Sequence, residues 1–237
     1  LRTYLLFLTV VFCNQPYVQT EEEFGKYFEG DMLLNPNQAR AVSEAMAARN
    51  GLREGAKRWP DRTVVYYIEE DEFGNNNYIR KTPLLLYKFH GSQNGCYSNV
   101  GYNGASEDSD SSEVNQVLNL AKGCFRHGTV VHEMLHTLGF YHMQSTYDRD
   151  NYVKIVWKNI KAGTEHNFAK YTNDTVTDFG VPYDYTSVMH YPETAFSKNG
   201  NKTIVPLQEN VTIGQRNGLS ESDVLKLNKM YCEHRIF

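Results

Sequence analysis

Beyond its first residues the chain of 237 amino acids lacks any long apolar run, and it carries no extended block of like charge. A transmembrane helix needs about 20 predominantly apolar residues, so the sequence argues against a membrane-spanning protein. Acidic and basic side chains are mixed, and the formal net charge is only -4. The absence of a polybasic stretch argues against nucleic-acid and membrane-surface partners.

Cysteine is also scarce, with four residues in the chain. Cys13 ends an apolar run that begins at Tyr4 and follows one basic residue. This run is too short to span a bilayer and is typical of a secretory signal peptide, with a buried strand as the alternative. We therefore predict a signal peptide over residues 1–13 and a secreted, extracellular protein. Three glycosylation sequons agree with secretion: Asn173, Asn201 and Asn210.

One segment, HEMLHTLGFYH, carries most of the functional information. On a helix, residues four apart share a face, so His132 and His136 can bind the same metal ion while Glu133 lies beside it. Gly139 can leave the helix in a left-handed conformation, which brings His142 round as a third ligand. Three protein ligands leave one position for water, as in catalytic rather than structural zinc sites.

These residue types predict a zinc-dependent hydrolase. A zinc ion held by neutral imidazoles lowers the pKa of its bound water from about 15.7 to about 7. Glu133 is placed to take the proton and to pass it to the leaving amine. A helix with incidental histidines is the alternative, but Gly139 and His142 in addition to the five-residue core make a chance match rare.

Turn signals and apolar periodicity predict a chain with both helices and strands. Caps at Asn35 and Ser220 mark two helix starts, and the helix with the metal motif is expected to be buried nearly all round. The expected helices are Asn37–Arg49, Thr129–Leu138 and Glu221–Tyr231. The expected strands are Thr63–Ile68, Leu84–Phe89 and Val114–Leu120, the last as a short edge strand.

With these motifs the chain resembles the astacin family of secreted zinc endopeptidases, within the metzincins. Met189 alone would indicate core packing, but its place downstream of the zinc motif matches the metzincin methionine turn. The resemblance implies an α+β, metzincin-like fold, in which a cleft separates an N-terminal mixed sheet with the active-site helix from an irregular C-terminal subdomain. Segments that carry the likeness are Asp148–Asp150, Trp157–Ile160, Asn167–Phe168, Tyr183–Tyr185, Ser187–Tyr191 and Ile213–Arg216.

The resemblance also implies individual roles. The three histidines bind one zinc ion per subunit, Glu133 is the general base and then acid, and Met189 forms the floor of the site. Tyr191 is the mobile tyrosine that hydrogen-bonds the transition-state oxyanion, with a buried structural tyrosine as the alternative. Cys96 and Cys124 form the family's disulfide.

The segment Phe28-Glu29-Gly30-Asp31 resembles the family's propeptide motif, in which the aspartate binds zinc in place of the catalytic water. Asp31 is therefore expected to keep the enzyme latent. Residues 14–49 form the propeptide, a trypsin-like protease cuts at Arg49–Asn50, and residues 50–237 form the protease domain. A protein or peptide substrate is expected to add as a strand at the edge near Val117–Leu120.

Two features depart from the family. Met143 stands where the family usually has a glutamate, which puts the anchoring of the new N-terminus in doubt. The stretch Glu69–Lys88 lacks a helix that the family has in this region, either because of a gap in the gene model or because of a real deletion. The family's partner of Cys232 is missing with it. A non-catalytic secreted zinc-binding homologue is therefore the alternative function. A different metzincin class would need a cysteine latch, and no cysteine lies between Gln15 and Arg49.

Overall fold

The computed structural model describes residues 27–36, 38–40, 58–59, 64, 66–68, 87–90, 95–103, 116–121, 123–171 and 177–232. The expected signal peptide, the Arg49–Asn50 bond and the connection over residues 69–86 lie outside this part. Its strands are β1 (Met32–Leu33), β2 (Tyr66–Ile68), β3 (Tyr87–His90), β4 (Cys96–Asn99), β5 (Gln116–Leu120), β6 (Val153–Ile155) and β7 (Ile204–Pro206). Its named α-helices are α1 (His127–Thr137) and α2 (Glu221–Tyr231).

The N-terminal half is built on a five-stranded mixed sheet in the order β1-β4-β5-β3-β2. The β4–β5 pair is antiparallel and the other pairs are parallel. Helix α1 packs across β4 and β5. The predicted α+β class with a mixed sheet beside the active-site helix is therefore confirmed.

Strand β5 lies in the centre of the sheet, so the prediction of an edge strand over Val114–Leu120 is wrong. Both of its hydrogen-bonding edges are occupied, by β4 on one side and β3 on the other. Its polar residues suggest an exposed edge in the sequence, but in the fold they are buried and form hydrogen bonds within the protein. Gln116 donates to the carbonyl oxygen of Gly101 at 2.6 Å, and Asn119 donates to that of Gly95 at 2.6 Å. The substrate edge proposed near Val117–Leu120 is therefore not available.

Helix α1 begins two residues before the predicted start, with Arg126 as its N-cap. The helix is not buried all round, because the side chain of Met134 is 43% exposed. Residue 134 lies about 200° around the helix from residues 132 and 136, which face the interior. At the other end Gly139 has a φ of 101°, the left-handed turn that the sequence predicts.

Helix α2 has the predicted bounds and a capping box. The hydroxyl of Ser220 accepts from the backbone N–H of Asp223 at 3.0 Å, and the Asp223 carboxylate accepts from that of Ser220 at 3.0 Å. Asn35 and Gln38 exchange the same kind of bonds at 2.8 and 2.9 Å. Pro36 and residues 38–40 are helical, and the rest of the predicted helix Asn37–Arg49 lies outside the described residues.

The predicted disulfide between Cys96 and Cys124 is present and ties the start of β4 to the loop before α1. Its two residues are 28 positions apart. Closing a loop of this size lowers the entropy of the unfolded chain and stabilises the folded state by roughly 3 kcal/mol. Cys232 is free and exposed, as the missing partner predicts.

The C-terminal part is mostly turns and short 3-10 segments around the antiparallel β6–β7 pair. Its own core contains Val153, Phe168, Tyr191 and Ile204. A separate core joins Met32 of β1 to Leu135 of α1 and Met189. Met32 therefore belongs to the edge strand of the sheet and also packs against the turn around Met189 in the C-terminal part. Neither described helix combines the length and apolarity required to cross a membrane.

Candidate active site

Helix α1 and the turn after it bring three histidine rings together. His132 and His136 lie one helical turn apart with ring centroids separated by 4.8 Å. The N–H of Gly139 donates to the carbonyl of His136 at 2.8 Å, and the chain then turns back. The ring of His142 consequently lies 5.2 Å from that of His132 and 4.8 Å from that of His136.

An outer hydrogen bond fixes the orientation of each ring. The Nδ1 of His132 donates to the Val188 carbonyl at 2.8 Å, and the Nδ1 of His136 donates to that of Phe140 at 2.7 Å. The Nδ1 of His142 donates to the carboxylate of Glu29 at 2.6 Å. Because carbonyl and carboxylate oxygens only accept, each Nδ1 is the donor nitrogen, and Nε2 of all three rings faces inward.

The carboxylate of Asp31 faces these three Nε2 atoms. Its Oδ2 lies 3.2 Å from Nε2 of His132 and 3.2 Å from that of His142, and its Oδ1 lies 3.6 Å from that of His136. A tetrahedron with zinc–nitrogen distances near 2.05 Å has edges of about 3.3 Å. Asp31 Oδ2 and the Nε2 atoms of His132 and His142 match that spacing, at 3.2 Å for each pair. One ligand atom from each of the four residues lies within 4.8 Å of the others, so the group could hold one metal ion.

Two buried atoms support this fit. Asp31 Oδ1 and His136 Nε2 have no hydrogen-bond partner among the described residues, although both side chains are at most 1% exposed. Buried polar atoms are normally satisfied, and a metal ion is one way to satisfy a carboxylate and an imidazole that face each other. Imidazole and carboxylate are also donors that zinc prefers.

The electrostatic environment of the cluster favours an ionised Asp31. Burial alone would raise its pKa, but the charge of His142 and the adjacent imidazoles of His132 and His136 hold the pKa of this carboxyl well below its usual range. Burial lowers the pKa of His136 to about 4. Burial also acts to lower the pKa of His142, yet the carboxylates of Asp31 and Glu29 outweigh it and raise the pKa to about 9. A cation at the centre would replace that proton.

The structure places the predicted general base next to the cluster. Glu133 follows the ligand His132 on α1 and is completely buried. The Thr137 hydroxyl donates to the Glu133 backbone carbonyl at 3.1 Å, one turn along the helix. The carboxylate is thus carried by the same helix as His132 and His136.

The turn around Met189 lies directly against the histidines. The N–H of Met143 donates to the Met189 carbonyl at 2.9 Å, and Met189 is 1% exposed. The ring of Tyr191 lies 4.6 Å from that of His142, measured between centroids. Its hydroxyl donates to the backbone carbonyl of Glu29, so this tyrosine contacts the segment that carries Asp31.

Two residues of the site were missed by the sequence analysis. Asp223 reaches from α2 to the methionine turn, where its carboxylate accepts from the Ser187 hydroxyl at 2.6 Å and the Val188 N–H at 2.9 Å. Its position three residues after Ser220 is typical of a capping box, but no local pattern indicates this contact. The second is Glu29, to which the sequence assigns no role beyond its place in the propeptide motif.

The residue that departs from the family lies in a buried environment. Met143 is 2% exposed, and its sulfur lies 3.3 Å from Nζ of Lys226, which is itself 1% exposed. Burial lowers the pKa of Lys226, although Asp223 and Asp184 act to raise it. A lysine ammonium therefore lies against the position after the third histidine.

Comparisons with known proteins agree with this geometry. Residues 43–232 match the model of the astacin peptidase family. The chain is 40% identical over 232 residues to zinc metalloproteinase nas-13 of Caenorhabditis elegans, covering 86% of this chain and 50% of that protein. It is 36% identical over 252 residues to seminal metalloprotease 1 of Drosophila melanogaster, covering 94% and 95% of the two chains.

A solved structure extends the comparison to the fold. High choriolytic enzyme 1 from Oryzias latipes, a hatching enzyme zinc-protease, matches with a TM-score of 0.65 and 29% identity, over 77% of this chain and 98% of that one. The chain spans half the length of the nematode relative and nearly all of the Drosophila one. The chain therefore belongs to the astacin family of zinc metallopeptidases.

Proposed function

We propose that this chain is the zymogen of a secreted zinc endopeptidase in which Asp31 blocks the catalytic metal until the propeptide is removed. The observation that carries the proposal is the convergence of the Asp31 carboxylate with three histidine Nε2 atoms at 3.2 to 3.6 Å. A carboxylate at the fourth zinc position leaves no place for a water nucleophile. Latency then follows directly from the ligand set.

The backbone around Asp31 supports the same interpretation. The two residues after it form β1, which pairs with β4 in parallel as Met32 with Ser98 and Leu33 with Asn99. The N–H of Ser98 donates to the Asp31 carbonyl at 2.8 Å. The segment thus occupies both the proposed metal site and the hydrogen-bonding edge of β4.

Removal of this segment would expose β4 as the edge of the sheet beside the metal site. We assign substrate binding to this edge, in place of the edge near Val117–Leu120. An extended peptide can add there through main-chain hydrogen bonds, as β1 does now. This mode of binding suits an endopeptidase that acts on proteins or peptides, because the peptide backbone is common to all sequences.

The proposed mechanism divides the work among the residues at the site. His132, His136 and His142 would hold the zinc ion, which when bound activates water at neutral pH and polarises the scissile carbonyl. Glu133 takes a proton from the attacking water and gives it to the leaving amine. Tyr191 donates a hydrogen bond to the oxyanion, once its hydroxyl is released from the Glu29 carbonyl.

The limits of the mature protein belong to the same proposal. Residues 1–13 serve as signal peptide and residues 14–49 as propeptide, and a trypsin-like protease cuts at Arg49–Asn50 to release the domain over 50–237. Secretion is supported by the disulfide. The sequon asparagines Asn201 and Asn210 are exposed, as glycosylation requires.

The test is to express the chain from residue 15 onward and to follow cleavage of a protein substrate before and after limited trypsin treatment. We expect cleavage only after treatment, complete inhibition by a zinc chelator, and recovery on adding zinc. Trypsin is then quenched with its own inhibitor, and trypsin alone serves as control. Folded, zinc-loaded and trimmed protein without activity would favour the non-catalytic homologue instead.

A further inference from the structure

Glu29 has a backbone conformation that is unusual for its residue type. Its φ is 49°, in the left-handed region that disfavours side chains other than asparagine, aspartate and glycine, and Gly30 follows with a φ of 90°. Its side chain is also completely buried. A buried carboxylate on a strained backbone persists only where its surroundings hold it firmly, and such positions cluster at functional sites.

Three donors from the C-terminal part hold this carboxylate. His142 Nδ1 donates to Oε2 at 2.6 Å, and the hydroxyls of Ser145 and Tyr171 donate to Oε1 at 2.8 and 2.5 Å. All three donor residues are at most 3% exposed. Three hydrogen bonds to one buried carboxyl group hold it in a single orientation.

The outer partner of His142 differs in origin from those of the other two histidines. His132 and His136 donate to the backbone carbonyls of Val188 and Phe140, which stay with the protein after the proposed cleavage. His142 donates to a side chain of the proposed propeptide. Activation would therefore remove the outer partner of one metal ligand and leave the other two unchanged.

The main chain of Glu29 also contacts Tyr191, whose hydroxyl donates to the Glu29 carbonyl. A single residue thus engages the third metal ligand and the proposed oxyanion donor at once. Neither contact involves Asp31. The two residues lie on the same short segment and face opposite nitrogens of His142, Asp31 at Nε2 and Glu29 at Nδ1.

We propose that Glu29 is a second locking residue, a positioning residue that fixes His142 through Nδ1 and holds Tyr191 away from the reaction. This inference rests on the proposed zymogen function and extends it. A partner at the outer nitrogen orients a histidine and strengthens its bond to zinc, and losing one typically weakens metal affinity or activity 10- to 100-fold. The uncleaved chain consequently holds zinc more tightly than the activated enzyme, by more than the Asp31 ligand alone explains.

The test measures the rate at which zinc passes from the uncleaved chain to a colorimetric chelator. Glu29→Gln keeps the size of the side chain and removes its charge, and we expect zinc release at least about 10-fold faster than from wild type. Glu29→Asp keeps the charge and is expected to release zinc more slowly than the glutamine variant. Arg40→Gln changes an exposed residue of the same proposed propeptide and should match wild type.

Cleavage supplies an internal control for folding. After removal of residues 14–49, the wild-type and Glu29→Gln chains yield the same molecule, so both must release zinc at one common rate. Before cleavage, Glu29→Gln could release zinc at the wild-type rate while Asp31→Asn releases it faster. This result would overturn the role of Glu29 but would agree with the proposed block of zinc by Asp31. If Glu29→Asp and Glu29→Gln released zinc at the same rate, the charge of Glu29 would have no effect on the metal. That result would also overturn the proposed role of Glu29. Absence of zinc from every uncleaved chain would instead refute the zymogen proposal itself.

Discussion

Replacing Glu133 with alanine is expected to lower kcat of the activated enzyme by about 1000-fold while zinc stays bound. A positioned general acid or base typically contributes between about 100- and 10,000-fold, and Glu133 is the buried carboxylate directly after a ligand on α1. His132 and His136 do not depend on this side chain for their orientation, since their outer partners are the backbone carbonyls of Val188 and Phe140. The substitution should therefore lower kcat without releasing zinc.

The measurement pairs a steady-state peptide assay with zinc content by atomic absorption on the same samples. Met134→Ala is the matched control, because it removes the next side chain on the helix, which points outward and is 43% exposed. We expect this control to retain wild-type kcat. Loss of zinc from Glu133→Ala would show that the residue supports the metal site, and unchanged kcat would contradict its role as base.

Replacing Asp31 with asparagine is expected to give an uncleaved chain at least about 100-fold more active than the uncleaved wild type. Asparagine has nearly the same shape, but its neutral amide is a much weaker zinc ligand than a carboxylate. The surrounding charges that hold the pKa of Asp31 well below its usual range show how strongly this pocket favours the ionised group. Without the bond to zinc, only the two-residue β1–β4 pairing holds the segment over the substrate edge, so the segment should compete only weakly with substrate.

This prediction is checked by assaying uncleaved wild type and variant side by side under conditions that prevent cleavage, with cleavage monitored by mass spectrometry. Full activation removes residue 31 from both chains, so their final activities have to coincide and report correct folding. The uncleaved Asp31→Asn chain could instead be as inactive as the uncleaved wild type. That result would show that the backbone of residues 28–33, rather than the bond to zinc, inhibits the enzyme.

The local part of the site could be predicted because its ligands are close in sequence. His132 and His136 follow the helical period, and Gly139 supplies the turn that returns His142, so one short segment determines most of the geometry. Asp31 lies 101 residues from His132, and no local rule connects the two. Only the resemblance to a family brought them together.

The errors have a common physical origin in buried polar residues. Gln116 and Asn119 broke the apolar alternation of β5 and suggested an edge, but they are satisfied by backbone carbonyls inside the sheet. Glu29 and Asp223 are likewise carboxylates whose partners lie far away in sequence. Hydrogen bonds of this kind depend on tertiary contacts, which sequence patterns do not report.

X-ray absorption at the zinc edge, recorded on one preparation before and after trypsin treatment, tests the central claim most directly. The claim is that the Asp31 carboxylate completes the zinc ligand set of the uncleaved chain. We predict three nitrogen ligands plus a carboxylate oxygen before cleavage, and loss of the carboxylate signal after cleavage together with the appearance of peptidase activity. An identical zinc environment in both samples, or in the uncleaved wild-type and Asp31→Asn chains, would contradict the account.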